Sequence, residues 1–99
     1  MFLIQILTLF LADKKLDDCS SSTLDFYRYT VGKLVGFMGE KYGEIGVEDL
    51  QEHIQEYFLW LKEESSLSPQ SYHSHLRGVK VYLNFLFSEG FIGSNIRVP

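Results

Sequence analysis

Between Ser68 and Phe87 the chain reads SPQSYHSHLRGVKVYLNFLF, and Tyr72, Leu76, Val79, Leu83 and Leu86 recur at i, i+4, i+7, i+11 and i+14. That period is the apolar stripe of a helix lying on a core. Start and stop are written into the same stretch. Ser68 stands at the N-cap position with Pro69 as the first helical residue. Gly90 follows where a left-handed residue closes a helix, with Phe91 placed to fold back on the last turn. A segment so patterned commits the fold to helix packing.

Three further helices follow from the same reasoning. The first spans about residues 2–15 and is apolar on more than one side, so it has surface to offer beyond its own core. The second spans about 22–39, with Ser21 and Ser22 as capping residues, a seam of Leu24, Tyr27, Val31, Leu34 and Met38, and Gly39 as its breaker. The third spans about 47–62, with Glu48 and Asp49 at its positive end and Leu50, Ile54, Tyr57, Phe58 and Leu61 facing inward. The fourth spans 69–89. No useful strand alternation and no internal repeat occur. Connections of about four to seven residues imply antiparallel neighbours. The expected fold is all-α, a compact four-helix bundle in one domain. Gly32, Gly36 and Gly78 fall inside helices, where each costs about 1 kcal/mol relative to Ala. Close helix crossing is the expected reason, with close approach to a ligand backbone as the alternative.

Composition adds a contrast. The chain of 99 residues carries a net charge of −4, which by itself argues against a nucleic-acid binder. Its distribution reverses that reading. Residues 40–64 sum to −6 with two lysines against eight acids, whereas residues 65–99 sum to +2. No Asp or Glu occurs from Ser65 to Ser88, and the polar side of the fourth helix offers Gln70, Ser71, His73, Ser74, Arg77, Lys80 and Asn84. A helix packed on one side and free of carboxylates on the other points to an anionic partner.

Enzymatic chemistry finds no footing. His73 and His75 are two apart and cannot share a metal ion on a helix, so both are read as surface residues. Glu48, Glu52 and Glu56 form a stripe with no His or Cys, hence a solvated acidic face rather than a cluster. There is no phosphate loop, nucleophile elbow or zinc spacing. No cofactor is expected. Cys19 has no partner for a disulfide and no cationic neighbour, so an inert thiol in a reducing cytosol is expected. The opening FLIQILTLFLA lacks a basic flank and falls short of a membrane span, so it reads as a buried helix rather than a secretion signal. What remains is two helix starts of like chemistry: Ser21-Ser22-Thr23 followed by Arg28 and Lys33, and Ser68-Pro69-Gln70-Ser71 followed by His73, Ser74, Arg77 and Lys80. Unpaired N–H groups, a positive dipole end and short hydroxyls suit phosphate oxygens. Ordinary capping on a solvated face is the competing explanation.

At these residues the chain resembles the core-binding domain of tyrosine recombinases, the phage integrase and Xer group. Thr23-Leu24-x-x-Tyr27-Arg28 with Leu34 and Phe37 is similar to that family's second helix. Leu76, Val79-Lys80-x-Tyr82-Leu83-Asn84-Phe85-Leu86 and Ser88-Glu89-Gly90-Phe91-Ile92-x-x-Asn95 are similar to its fourth helix and exit, with Asn95-Ile96 where the family has Asn-Pro. Ile45-Gly46-Val47-Glu48-Asp49-Leu50 occupies the place of its loop into helix three, and the likeness covers about residues 5–96.

The resemblance implies a SAM-like bundle forming half of a clamp on double-stranded DNA, with helices two and four toward the duplex. It also implies a catalytic domain following residues 90–99 and absent from this chain, and so no catalytic residue here. The DNA-binding residues it implies are Ser22, Thr23, Arg28, Gln70, Ser71, Ser74, Arg77 and Lys80, with Arg77 and Lys80 on phosphates. Neighbouring recombinase protomers would be met through helix one, the isolated domain being monomeric. Its setting would be DNA-associated, in a prokaryotic cytoplasm. A helical protein-interaction module without nucleic-acid binding is the alternative, and a small helical enzyme with no visible site a weaker third.

Overall fold

The computed structural model describes residues 1–99 and contains α1 (Leu3–Leu16), α2 (Ser21–Tyr42), a 3-10 turn (Val47–Asp49), α3 (Leu50–Glu63) and α4 (Pro69–Ser88). The all-α expectation holds. Helix α2 is the spine, packing on α4 along one side and on α1 along another, with α3 meeting it over a smaller surface. Leu3, Ile6, Leu7 and Phe10 of α1, Val31, Leu34 and Met38 of α2, and Leu76, Val79, Tyr82, Leu83 and Leu86 of α4 enter one core with the expected face of α3. Phe10 sits at its centre, edge-on to Tyr27, Tyr82 and Phe85 at 5.2–5.4 Å. The buried Tyr82 hydroxyl donates to the Leu3 carbonyl at 3.4 Å, and burial pushes this phenol well above its ordinary range, so it stays neutral. No helix is long and apolar enough to cross a membrane.

Helix ends follow their local chemistry. Phe2 N–H donates to Gln5 Oε1 at 2.9 Å at the start of α1. After α4, Gly90 takes φ 79°, its N–H donates to the Phe87 carbonyl at 3.1 Å, and Phe91 N–H donates to the Leu86 carbonyl at 2.8 Å. These are the paired bonds of a Schellman close, and Phe91 folds back on the last turn, its ring tilted against Phe85 at 6.3 Å.

Several expectations need correction. Helix α2 starts at Ser21, not Ser22, because Ser20 is its cap: its Oγ accepts from Thr23 N–H at 3.1 Å. It continues through Gly39 to Tyr42 and stops at Gly43, with φ 75°. One glycine costs a helix only about 1 kcal/mol, and contacts with α3 hold the last turn. Lys41 pairs with Glu56 at 2.8 Å, and Tyr42 donates to the same carboxylate while stacking on His53 at 4.1 Å. Residues 47–49 form a 3-10 turn, so α3 proper begins at Leu50, and α4 ends at Ser88. His75 is 2 % exposed and belongs to the α2–α4 seam, although His73 is exposed. Positions two apart lie about 200° around a helix, so the two histidines take different sides, and His75 takes the side that packs on α2.

The three helical glycines divide. A Cβ on Gly78 would stand 1.9 Å from Thr30 Oγ1, which makes it a true crossing residue. Around Gly32 and Gly36 there is only open space. Helix α1 keeps Ile4 (55 %) and Leu9 (43 %) exposed, as its two-sided apolar character implies.

Candidate nucleic-acid interface

The α2–α4 crossing positions the polar surface beside it. Thr30 Oγ1 donates to the Phe26 carbonyl at 2.8 Å, turning the side chain into the gap that Gly78 leaves open. The two helices approach closely there, and Phe26 of α2 comes beneath Arg77 of α4. The guanidinium lies 5.7 Å from the ring centroid, and its Nη2 donates to Ser74 Oγ at 3.2 Å. A half-buried aromatic and a hydroxyl thus hold Arg77 in place, and its charge stays exposed. Thr23, Phe26, Tyr27, Arg77 and Val81 line one shallow groove of about 370 Å³. The start of α2 and the middle of α4 therefore share a surface.

Neither helix start carries an acid in its first turn, so both positive dipole ends are uncompensated. Ser22 and Gln70 are exposed there. Ser71 is less available, since its N–H donates to Ser68 Oγ and its own Oγ accepts from Ser68, both at 3.2 Å. Thr23 is likewise tied to its cap, with Oγ1 2.9 Å from Ser20 Oγ. Arg28 stands apart from this group. Its guanidinium pairs with Asp25 at 2.8 Å, and it lies five residues, or about 140° of helix, from Thr23.

Further along α4, Lys80 borders two hollows of about 360 and 310 Å³ formed where residues 95–99 lie along the helix. The first holds Asn84, Asn95 and Arg97; the second holds His73 and Arg77. No carboxylate pairs with Arg77, Lys80 or Arg97, whereas Lys14, Arg28 and Lys41 are all paired with acids. In sequence Arg97 is visible only as part of the +2 sum of residues 65–99. Its signal, a lone cation after the helix-closing Gly90, was present but carried no helical register to place it.

His75 lies behind this surface, with its ring 4.9 Å from Tyr29 and its Nδ1 without a partner. Burial, and then the nearby Lys33 ammonium, hold its pKa below the ordinary histidine value against a raising contribution from the Thr30 backbone. It is a neutral core residue and offers nothing to an anion.

The acidic stripe sits elsewhere. Glu48 and Glu52 are exposed on the α3 side, and Glu56 is engaged by Lys41 and Tyr42. No group of His, Cys, Asp and Glu side chains is gathered to hold a metal ion.

An all-α domain whose fourth helix carries cations and no carboxylate defines the class. The particular family follows from comparison. Residues 6–90 match the family described as phage integrase, N-terminal SAM-like domain, and the chain belongs to it. Neither the curated proteins nor the solved structures give a significant match.

Proposed function

We propose that this domain binds double-stranded DNA and positions it for strand exchange by the catalytic domain of a site-specific tyrosine recombinase. The observation that carries the reading is that Arg77 and Lys80 stand exposed on α4 with no acidic partner, and the start of α2 shares a groove with Arg77. Arg77 and Lys80 contact phosphates, Ser22 and Thr23 supply hydroxyls at the start of α2, and Gln70 reaches a phosphate or base edge. Ser74 acts through Arg77, and Ser71 through the cap it completes. Arg28 joins only by releasing Asp25, so it ranks last in the set. The domain measures 35 Å in its longest dimension, enough to follow about one turn of duplex.

The exposed apolar residues of α1, Ile4 and Leu9, meet neighbouring protomers when several copies assemble on DNA, and the isolated domain is monomeric. The protein works in a prokaryotic cytoplasm, on DNA. Breakage and rejoining fall to the catalytic domain, and this chain's contribution is geometric.

The test is a fluorescence-anisotropy titration of the 99-residue chain with a short duplex at low and moderate salt. Two to three phosphate contacts predict weak binding whose log–log salt slope is about −2 to −3. Absence of binding at low salt, or an affinity indifferent to salt, contradicts the proposal.

A further inference from the structure

We infer that residues 91–99 are a folded part of the DNA-facing surface, and that Arg97 and Lys80 together form a site for one backbone phosphate. The segment lies beyond the family match, which stops at residue 90, so nothing in the family assignment describes it. The inference rests on the proposed DNA binding and adds to it a site and a rule for how that site is assembled.

The segment is anchored at successive points. Ile92 and Ile96 are each 8 % exposed and join the core, and Val98 packs against it half-buried. Asn95 Nδ2 donates to Asn84 Oδ1 at 3.0 Å, and Asn95 Oδ1 accepts from Ile96 N–H at 3.0 Å. Gln51 Nε2 at the start of α3 donates to Ser94 Oγ at 3.3 Å. The second of these bonds explains why Ile96 suits a position where proline would serve badly here. Proline has no N–H to give Asn95, and the isoleucine side chain fills the core.

Fixed in this way, Arg97 shares a hollow of about 360 Å³ with Lys80 and Asn84. Both cations are exposed and unpaired. Asn84 gives its carbonyl to Asn95 and keeps its NH₂ group free to donate. The carboxylates Asp13 and Glu89 line the neighbouring hollow on the far side of Asn84 and mark the limit of the favourable region. Two cations and an amide donor without an acid among them match a phosphodiester oxygen pair. Because the segment is already ordered, little chain entropy is lost when Arg97 engages, unlike a cation on a loose tail.

The experiment measures the log–log salt slope of duplex binding for the 99-residue chain and three variants, Arg97→Gln, Lys80→Gln and Ile96→Gly. The first two should each flatten the slope by about 0.9 and weaken low-salt binding about threefold to tenfold. Ile96→Gly keeps every charge yet should lose as much as Arg97→Gln, with an unchanged helical circular dichroism spectrum as the control. An unchanged slope in Arg97→Gln overturns the site. A wild-type slope in Ile96→Gly overturns the anchoring. If the unmodified chain binds no duplex, the DNA reading fails by itself, and inorganic pyrophosphate then tests the site directly. Shifts of the Ile96 amide and Arg97 guanidinium resonances in the wild type but not in Lys80→Gln sustain it, and their absence ends it.

Discussion

Helices α3 and α4 turn similar apolar faces to the core and opposite faces to the solvent. Leu50, Ile54, Tyr57, Phe58 and Leu61 bury α3, and Leu76, Val79, Tyr82, Leu83 and Leu86 bury α4. Outward, α3 carries Glu52, Glu56 and Glu63, and α4 carries Gln70, His73, Arg77, Lys80 and Asn84. The difference shows how a chain of net charge −4 can present a surface suited to an anion. Eight of its thirteen acids fall in residues 40–64, on α3 and the segments flanking it, where Lys41 and Tyr42 engage Glu56, and the cations of α4 are left unpaired. On the proposed DNA binding, the acidic side would repel the polyanion and favour its approach from the α4 side.

The largest way to break this arrangement is to unseat α4. Gly78→Ala puts a methyl group 1.9 Å from Thr30 Oγ1 and 2.6 Å from Thr30 Cβ, with Thr30 held by its bond to Phe26. A loss of about 1–3 kcal/mol in chemical denaturation is expected. Thr30→Gly in the same chain should restore part of it, since that change alone removes the obstructing Cβ. Next in size is the charge contrast. Arg77→Glu should weaken duplex binding about tenfold or more at low salt, whereas Glu52→Lys on α3 should leave it unchanged or raise it.

A third test uses pH. His75 is held neutral in the fold, so the unfolded chain binds the extra proton. Stability is therefore full above the ordinary histidine value of about 6.5 and falls as pH drops through it. The fall levels off once the folded pKa has been passed. His75→Gln should flatten that part of a melting-temperature profile, and His73→Gln on the exposed side should not. The smallest effect is expected at Gly36, which faces open space. Gly36→Ala should gain about 0.5–1 kcal/mol in denaturation, opposite in sign to the same change at Gly78.

That last pair separates what is local in this fold from what is not. The seams of α3 and α4 were legible because periodicity and caps are local properties. Gly36 and Gly78 are the same residue in helices of the same kind, and only Thr30, forty-eight positions from Gly78, separates their roles. The extension of α2 past Gly39 depends on Glu56 in another helix, which no local signal reports. Within the candidate surface, the nearness of Thr23 to Arg77 depends on the same crossing. The pairing of Arg28 with Asp25, at i and i−3, was visible in the sequence and sets it apart from Arg77. Arg97 was hidden for a different reason: hydrogen bonds of Asn95, rather than helical register, place it.

The central claim is that the surface shared by the start of α2 and the outer face of α4 meets DNA. It is tested most directly by following the backbone amide resonances of the labelled domain as a short duplex is added at low salt. Shifts concentrated at Ser22, Thr23, Gln70, Ser74, Arg77 and Lys80 are the result this account predicts. Shifts confined to residues 47–63, or none anywhere, would contradict it.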